Sequence, residues 1–349
     1  MHIQARRIFR LSGVMALTLA LAYALKLPMP FIAPLFALIF TAAPAPPMGL
    51  KSLLGLLLVV LITLGIGLLL IPLLLHQPVT ALLVVAGGLY FCFFLSVNLG
   101  KGLVGSLLTV GFTMISAAGT LDFTLAITVI QALVFGITLA VLCQWLVYPW
   151  FPEDPVPPAK SSVEKSTPAQ SNWIALRGVL IVFPVYFLAL TNPAGYMAII
   201  MKAVALAKQS SHIDARSAGR ELLGSTFLGG CFAIGFWMLL GIFTNLWMFF
   251  LWMLFLGVYF SSKIYQLIPS RFPASFWLNV VMTLFILLGP AVEDSASGKD
   301  VYAAFSVRFG LFVAVTLYAW VAVYLLEYLR ERRLQKRILS KHATEPSSC

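Results

Sequence analysis

Between Lys51 and His76 the chain runs for 24 residues without a charge, "SLLGLLLVVLITLGIGLLLIPLLL". Such a run exceeds the roughly 20 residues a helix needs to cross about 30 Å of hydrocarbon. It also lacks the polar–apolar alternation of a transmembrane barrel strand. Similar runs recur along the whole chain, and the composition agrees: 61% of residues are hydrophobic, 10% are charged and the mean hydropathy is +0.98. Soluble domains carry about 25% charged residues. The fold class expected is therefore an all-α polytopic membrane protein, with the lipid bilayer as its first partner.

Candidate spans fall at about 8–26, 29–44, 52–75, 79–97, 102–118 and 123–148, then at about 173–191, 193–208, 219–243, 245–262, 272–290 and 301–328. The segment 149–171 is polar and Pro-rich, which favours an extended tether. The organisation expected is a first six-helix membrane repeat (1–148), a cytoplasmic linker (149–171), a second six-helix repeat (172–329) and a basic cytoplasmic tail (330–349). The basic start and Ala22-Tyr23-Ala24 would suit a cleaved signal peptide. An equivalent helix beginning near Trp173 favours a retained first span instead.

The net charge of +11 reads as orientation rather than as a nucleic-acid footprint. Twelve spans place Arg6, Arg7, Arg10, Lys51, Lys101, Lys160, Lys165, Arg216, Arg220 and Lys263 on one side. Opposite them lie only Lys26, His76 and Lys299, among the acids Asp122, Glu293, Asp294 and Asp300. By the positive-inside rule the basic side, with both termini, is cytoplasmic.

Evidence for two halves lies in a shared offset. Lys51-x-Leu53-Leu54-Gly55 and Arg220-x-Leu222-Leu223-Gly224 stand 169 positions apart, as do Tyr90-Phe91 and Tyr259-Phe260. Thr113 falls near Thr283, and Gln131 can be laid on Arg308. Because each half holds an even number of spans, the repeat is parallel. The basic residue of the shared motif would fix orientation and its glycine would permit close helix approach. The second span of each half is short and follows a proline turn, "KLPMPF" (26–31) and "LTNPAGY" (190–196). Paired short segments of that kind point to a binding site at a repeat interface.

Ionisable or amide groups inside hydrocarbon cost about 2.5–3.5 kcal/mol for a charge at a helix centre, so those that occur face a cavity or a partner. Lys202, Arg308, Gln131 and Asn98 are the candidate substrate-binding residues, with Gln144 and Asn279 as further buried amides. Lys202 either snorkels its stem to the interface or meets an anionic substrate. Arg308 either pairs with Glu293, Asp294 or Asp300, or recognises a carboxylate. Asp122 and Asp294 are the proton-coupling candidates, the structural alternative for Asp122 being a helix N-cap.

No GxxxxGK[ST] loop, HExxH or GxSxG occurs, and four cysteines and four histidines form no cluster. Direct ATP driving, hydrolase chemistry, a metal site and a cofactor are therefore not expected, and the chain reads as a non-enzyme.

The arginine-led first helix "RRIFRLSGVMALTLALAYAL" (6–25), the proline turn, the short second span and the basic start of "KSLLGLLLVVLITLGIGLLL" (51–70) together resemble the fusaric acid resistance and aromatic acid exporter superfamily of bacterial inner-membrane proteins, in its short membrane-only branch. The resemblance spans residues 5–329. Longer relatives place a cytoplasmic domain where this chain has only 149–171. The resemblance implies residence in the bacterial inner membrane and efflux of aromatic or other organic acids, beside a periplasmic adaptor of the membrane-fusion type and with homo-oligomer formation open. With ATP motifs missing, drive by an ion gradient or by a partner protein is what remains. Two other readings stay open: a carrier of the major facilitator type, although "TAAPAPPMGLKSLLG" lacks the basic–acidic loop usual there, and a membrane scaffold or assembly protein that transports nothing.

Overall fold

The computed structural model describes residues 2–98, 100, 102–154, 168–210 and 215–344, and among them every regular element is helical. Twelve helices follow in order: α1 (Ile3–Ala24), α2 (Ile32–Ala42), α3 (Leu50–His76), α4 (Pro78–Asn98), α5 (Gly102–Leu121), α6 (Phe123–Val147), α7 (Pro168–Ala189), α8 (Pro193–Ser210), α9 (Ala215–Ile242), α10 (Leu246–Ile264), α11 (Ala274–Ala296) and α12 (Val301–Thr344). Ten of them are long and apolar enough to cross a membrane. The two that are not among the ten are α2 and α8, which follow the proline turns; α2 is short as expected, whereas α8, at 18 residues, runs two residues beyond the 193–208 expected. Lys101, Lys160, Lys165, most of the linker (155–167) and residues 345–349 lie outside the described residues, as does the Arg216 side chain.

The ends of the helices follow local chemistry. Asp122 breaks from α5 in an extended conformation and caps α6, its Oδ1 accepting from the Thr124 N–H at 2.9 Å; Asn245 caps α10 through the Trp247 N–H at 3.2 Å. Helix α2 is 11 residues, about 16 Å long, against the 29–44 expected. Pro28 and Pro30 before it and Pro44, Pro46 and Pro47 after it withhold the backbone donors that would extend it. Helix α12 instead runs on past 328 to Thr344, because residues 329–344 contain no Gly or Pro to stop it. Helix α5 contains a π-helical turn at Gly111–Ile115.

The outward faces are apolar, with Leu58, Leu61, Ile62 and Leu69 of α3 and Val79 and Leu83 of α4 all exposed. On helices of this length, that surface belongs against lipid. Inside, α1 packs along α10 and α4 along α7; α2 touches α11 and α5 touches α8; α3 packs on α5 and α9 on α11; α2 lies against α6 and α8 against α12. The Cβ-less face of Gly257 on α10 admits Ser12 of α1, and Gly178 of α7 admits the Phe93 ring of α4. The glycines of the repeated motif differ: Gly224 lies close to Phe276, whereas nothing approaches Gly55. Close packing therefore does not explain Gly55, which sits near the exposed start of α3.

Candidate functional site

Lys202 lies half-way along α8 and is completely buried. Its Nζ donates to Thr283 Oγ1 at 2.7 Å and to Asn279 Oδ1 at 3.2 Å, both one turn apart on α11. Thr283 in turn donates to the Asn279 carbonyl at 2.7 Å, and Asn279 Nδ2 donates to Ser225 Oγ of α9 at 2.5 Å. The stem therefore does not snorkel to an interface; it points into a polar knot shared by three helices. An ammonium has three N–H donors, and two neutral acceptors meet them here. Among the described residues no carboxylate pairs with Lys202. A desolvated cation with neutral partners alone is costly, and an anion arriving beside it supplies the missing counter-charge.

Arg308, on the second turn of α12, is ion-paired to Asp294 near the end of α11. That pair stands eleven residues beyond Thr283, about 16 Å along α11, so it is separate from Lys202. Asp122 is an exposed N-cap, Gln131 is exposed on α6, and Asn98 is half-buried at the end of α4. The structure thus brings Lys202 together with Asn279 alone of the sequence-derived candidates. Gln144 is buried elsewhere, donating to the Phe40 carbonyl at 3.3 Å.

Two further charge clusters tie α1 to the stretch just past α6, and α7 to α12. On one side Arg10 Nη2 meets Glu153 Oε2 at 2.7 Å, with both side chains at most 4% exposed; Arg7 reaches the other carboxylate oxygen through Nε at 2.7 Å, and Arg6 grips Asp154 at 2.8 Å. Burial pushes the Glu153 carboxyl up, but the hydrogen bonds and charges of Arg7 and Arg10 outweigh it and hold the group below the usual carboxylate range. Beside them Tyr265 donates to the Ala42 and Thr41 carbonyls at 3.0 and 3.3 Å, closing the C-terminus of α2; burial pushes its phenol up to about 12. On the other side Glu327 of α12 accepts from Arg177 at 3.2 Å and from Trp173 Nε1 at 3.0 Å.

Sequence reasoning missed Glu153, Glu327 and Ser225. A signal existed for two of them. Glu327 is an isolated acid within an apolar span, and Glu153-Asp154 is an acidic pair directly after a span whose side is crowded with arginines. Ser225 carries no such mark, since serine is common in helices.

An apolar crevice of about 330 Å³ lies between α1, α6 and α10, lined by Phe9, Leu17, Trp150, Phe151 and Phe250 among others. Its walls suit hydrocarbon and offer an organic anion nothing.

These features define a multi-pass α-helical membrane protein in which, among the described residues, one lysine is buried with no carboxylate partner. Residues 7–147 match a family described as "Protein of unknown function (DUF2955)", a match that begins inside α1 and ends on the last residue of α6. No curated protein and no solved structure matches.

Proposed function

We propose that this chain is an inner-membrane exporter of aromatic or other organic acids, driven by an ion gradient, with Lys202 as the residue that meets the substrate carboxylate. The observation that carries the reading is the Lys202 knot: a wholly buried lysine amine, held by neutral oxygens, on a proline-led helix packed against α5, α11 and α12. Structural proteins have no evident need for such a group, since an apolar side chain of similar size packs there at lower cost. Arg308, already paired, serves better as a brace for the α11–α12 turn than as a second substrate contact.

The reading includes a parallel duplication, and the helix contacts support it. If α1–α6 correspond to α7–α12, then α1 on α10 mirrors α7 on α4, α2 on α11 mirrors α8 on α5, and α2 on α6 mirrors α8 on α12. The clamps correspond as well, Arg10–Glu153 to Arg177–Glu327. That the family match stops at the end of α6 fits a six-helix unit. The four short or central helices α2, α5, α8 and α11 then surround the pseudo-two-fold axis, where parallel-repeat carriers bind substrate. Cytoplasmic termini and a periplasmic adaptor belong to the same proposal.

The test is uptake of a radiolabelled aromatic carboxylate into inverted membrane vesicles. Lys202→Met and Lys202→Ala should abolish it at unchanged protein level, with Lys202→Arg retaining a fraction. Wild-type rates in all three would remove Lys202 from the mechanism; uptake by no substrate of the class would remove the export reading.

A further inference from the structure

The apolar crevice between α1, α6 and α10 has a direction as well as a volume. Phe9, Gly13 and Leu17 line it from α1 at four-residue spacing, one stripe on one helix face. Leu146 and, just past α6, Trp150 form a second wall, and Phe250 of α10 stands on the third. Helices α1 and α10 run antiparallel, since Gly257 meets Ser12 while the Phe249 ring meets Tyr23 at 5.0 Å. In that register Phe250 lies about twelve residues beyond Phe9 along α1, or about 18 Å. One leaflet of hydrocarbon is about 15 Å deep, half of about 30 Å. About 330 Å³ spread over such a length makes a slot rather than a chamber. Phe9, Leu146 and Trp150 are exposed at its edge, so it opens on the lipid-facing surface.

One end of the slot is charged. Arg6 stands three residues before Phe9 and seven before Gly13, on the same face of α1. Arg7 and Arg10 stand beside it and Glu153 and Asp154 answer them, so three guanidiniums meet two carboxylates and leave one positive charge in excess. Arg6 stays 22% exposed while it holds Asp154 through Nη2 and the Pro152 carbonyl through Nη1. Each of those nitrogens carries two N–H donors, so Nη1 retains one for a further acceptor. Trp150 lies exposed at the same end, and indoles settle at the headgroup boundary.

The slot is not an inevitable product of this packing. Laying Arg177 on Arg10, as the two clamps invite, puts Leu180 where Gly13 stands. There Tyr318 of α12 reaches across to donate to the Leu180 carbonyl at 2.6 Å. At Gly13 the missing side chain leaves the wall open, and a Cβ there would meet Val147 Cγ1 at an ordinary 3.6 Å.

We propose that this slot is a binding site for one anionic phospholipid, with an acyl chain between α1, α6 and α10 and its phosphate against Arg6. Hydrocarbon alone gives no selectivity over bulk lipid, because the tails are as apolar as the walls. The choice is made at the headgroup: guanidinium N–H groups donate well to phosphate, and a lipid of net negative charge balances the excess that a zwitterionic one leaves.

For the test, protein stripped of lipid in detergent is titrated with phosphatidylglycerol or with phosphatidylcholine of the same acyl chains, and bound lipid is counted by native mass spectrometry. Wild type should hold one phosphatidylglycerol at least tenfold more tightly than phosphatidylcholine. Gly13→Leu fills the slot and should weaken that lipid at least tenfold; Leu146→Trp narrows it from the opposite wall and keeps the test decisive if Gly13→Leu does not fold. Gly65→Leu on α3, where nothing lies within 4 Å, is the matched control and should bind as wild type does. Arg6→Ala should bring the two lipids within threefold of each other with phosphatidylcholine affinity unchanged.

Equal affinity of wild type for the two lipids, wild-type binding by the slot-filling variants, equal loss in Gly65→Leu, or an undiminished preference in Arg6→Ala would each overturn the proposal. So would a dimer that Gly13→Leu dissociates, since a second copy of the chain would then occupy the slot. No transported substrate enters the test, so its outcome is independent of the export reading.

Discussion

Arg10 of α1 and Glu153, six residues past the end of α6, meet at 2.7 Å with side-chain exposures of 1% and 4%. The pair is a closed unit: Arg7 satisfies the second carboxylate oxygen, and Arg10 lies over the Tyr148 ring at 5.7 Å. Breaking a buried pair from one side strands a charge and costs about 3–5 kcal/mol. Glu153→Ala should therefore lower the thermal midpoint in detergent sharply, while Arg6→Ala, removing the exposed Asp154 contact, should change it little. Comparable shifts for the two would show that burial does not govern the clamp.

Acid should release the same clamp. Because Glu153 titrates below its unfolded value, about 4.3 for glutamate, its stabilisation is complete above that pH and is lost as pH falls through the lowered folded-state value. Thermal midpoints measured from pH 6 to pH 3 should fall for wild type. In Glu153→Gln the fall should be visibly shallower, since that residue no longer contributes; parallel curves would remove Glu153 as the group responsible.

The membrane architecture was legible because it rests on one-dimensional information. Length of apolar run, proline position and charge at loop ends fix where helices start and stop, so the short α2, the proline start of α8 and the Asp122 boundary can be read directly. The clamp was not legible, since Arg10 and Glu153 stand 143 residues apart and only packing of α1 against α6 unites them. Lys202 stood out as a charge in an apolar helix, but whether it snorkels or turns inward depends on Thr283 and Asn279, whose facing cannot be inferred without the α8–α11 contact. Gly55 shows the opposite error: a motif glycine invited a packing role that no neighbour supports.

Two glycines of α3 give a matched comparison. A Cβ on Gly67 would stand 2.2 Å from the Gly111 carbonyl oxygen at the π-helical turn of α5, and backbone cannot yield as a side-chain tip can. Gly65, two residues away, has nothing within 4 Å. Gly67→Ala should cost several kcal/mol through forced separation of α3 from α5, on the scale of overpacking at about 1–3 kcal/mol or more. Gly65→Ala should be neutral or stabilise by up to about 1 kcal/mol from helix propensity. Thermal unfolding in detergent checks both, and an equal response would place the α3–α5 contact elsewhere than at Gly67.

Lys202 allows stability and function to be separated. Its acceptors do not depend on it: Thr283 keeps its bond to the Asn279 carbonyl, and Asn279 keeps Ser225. Lys202→Met removes a desolvated charge and leaves one hydroxyl and one amide oxygen to be met by water, so its thermal midpoint should match or exceed that of wild type. Lys202→Glu places an anion against the Asn279 amide oxygen and should destabilise by about 3 kcal/mol or more. A residue kept for folding would show the reverse order, with Lys202→Met clearly destabilised. Under the export reading the stable Met variant is also the inactive one, because the cost of burying the ammonium is recovered only when a carboxylate arrives.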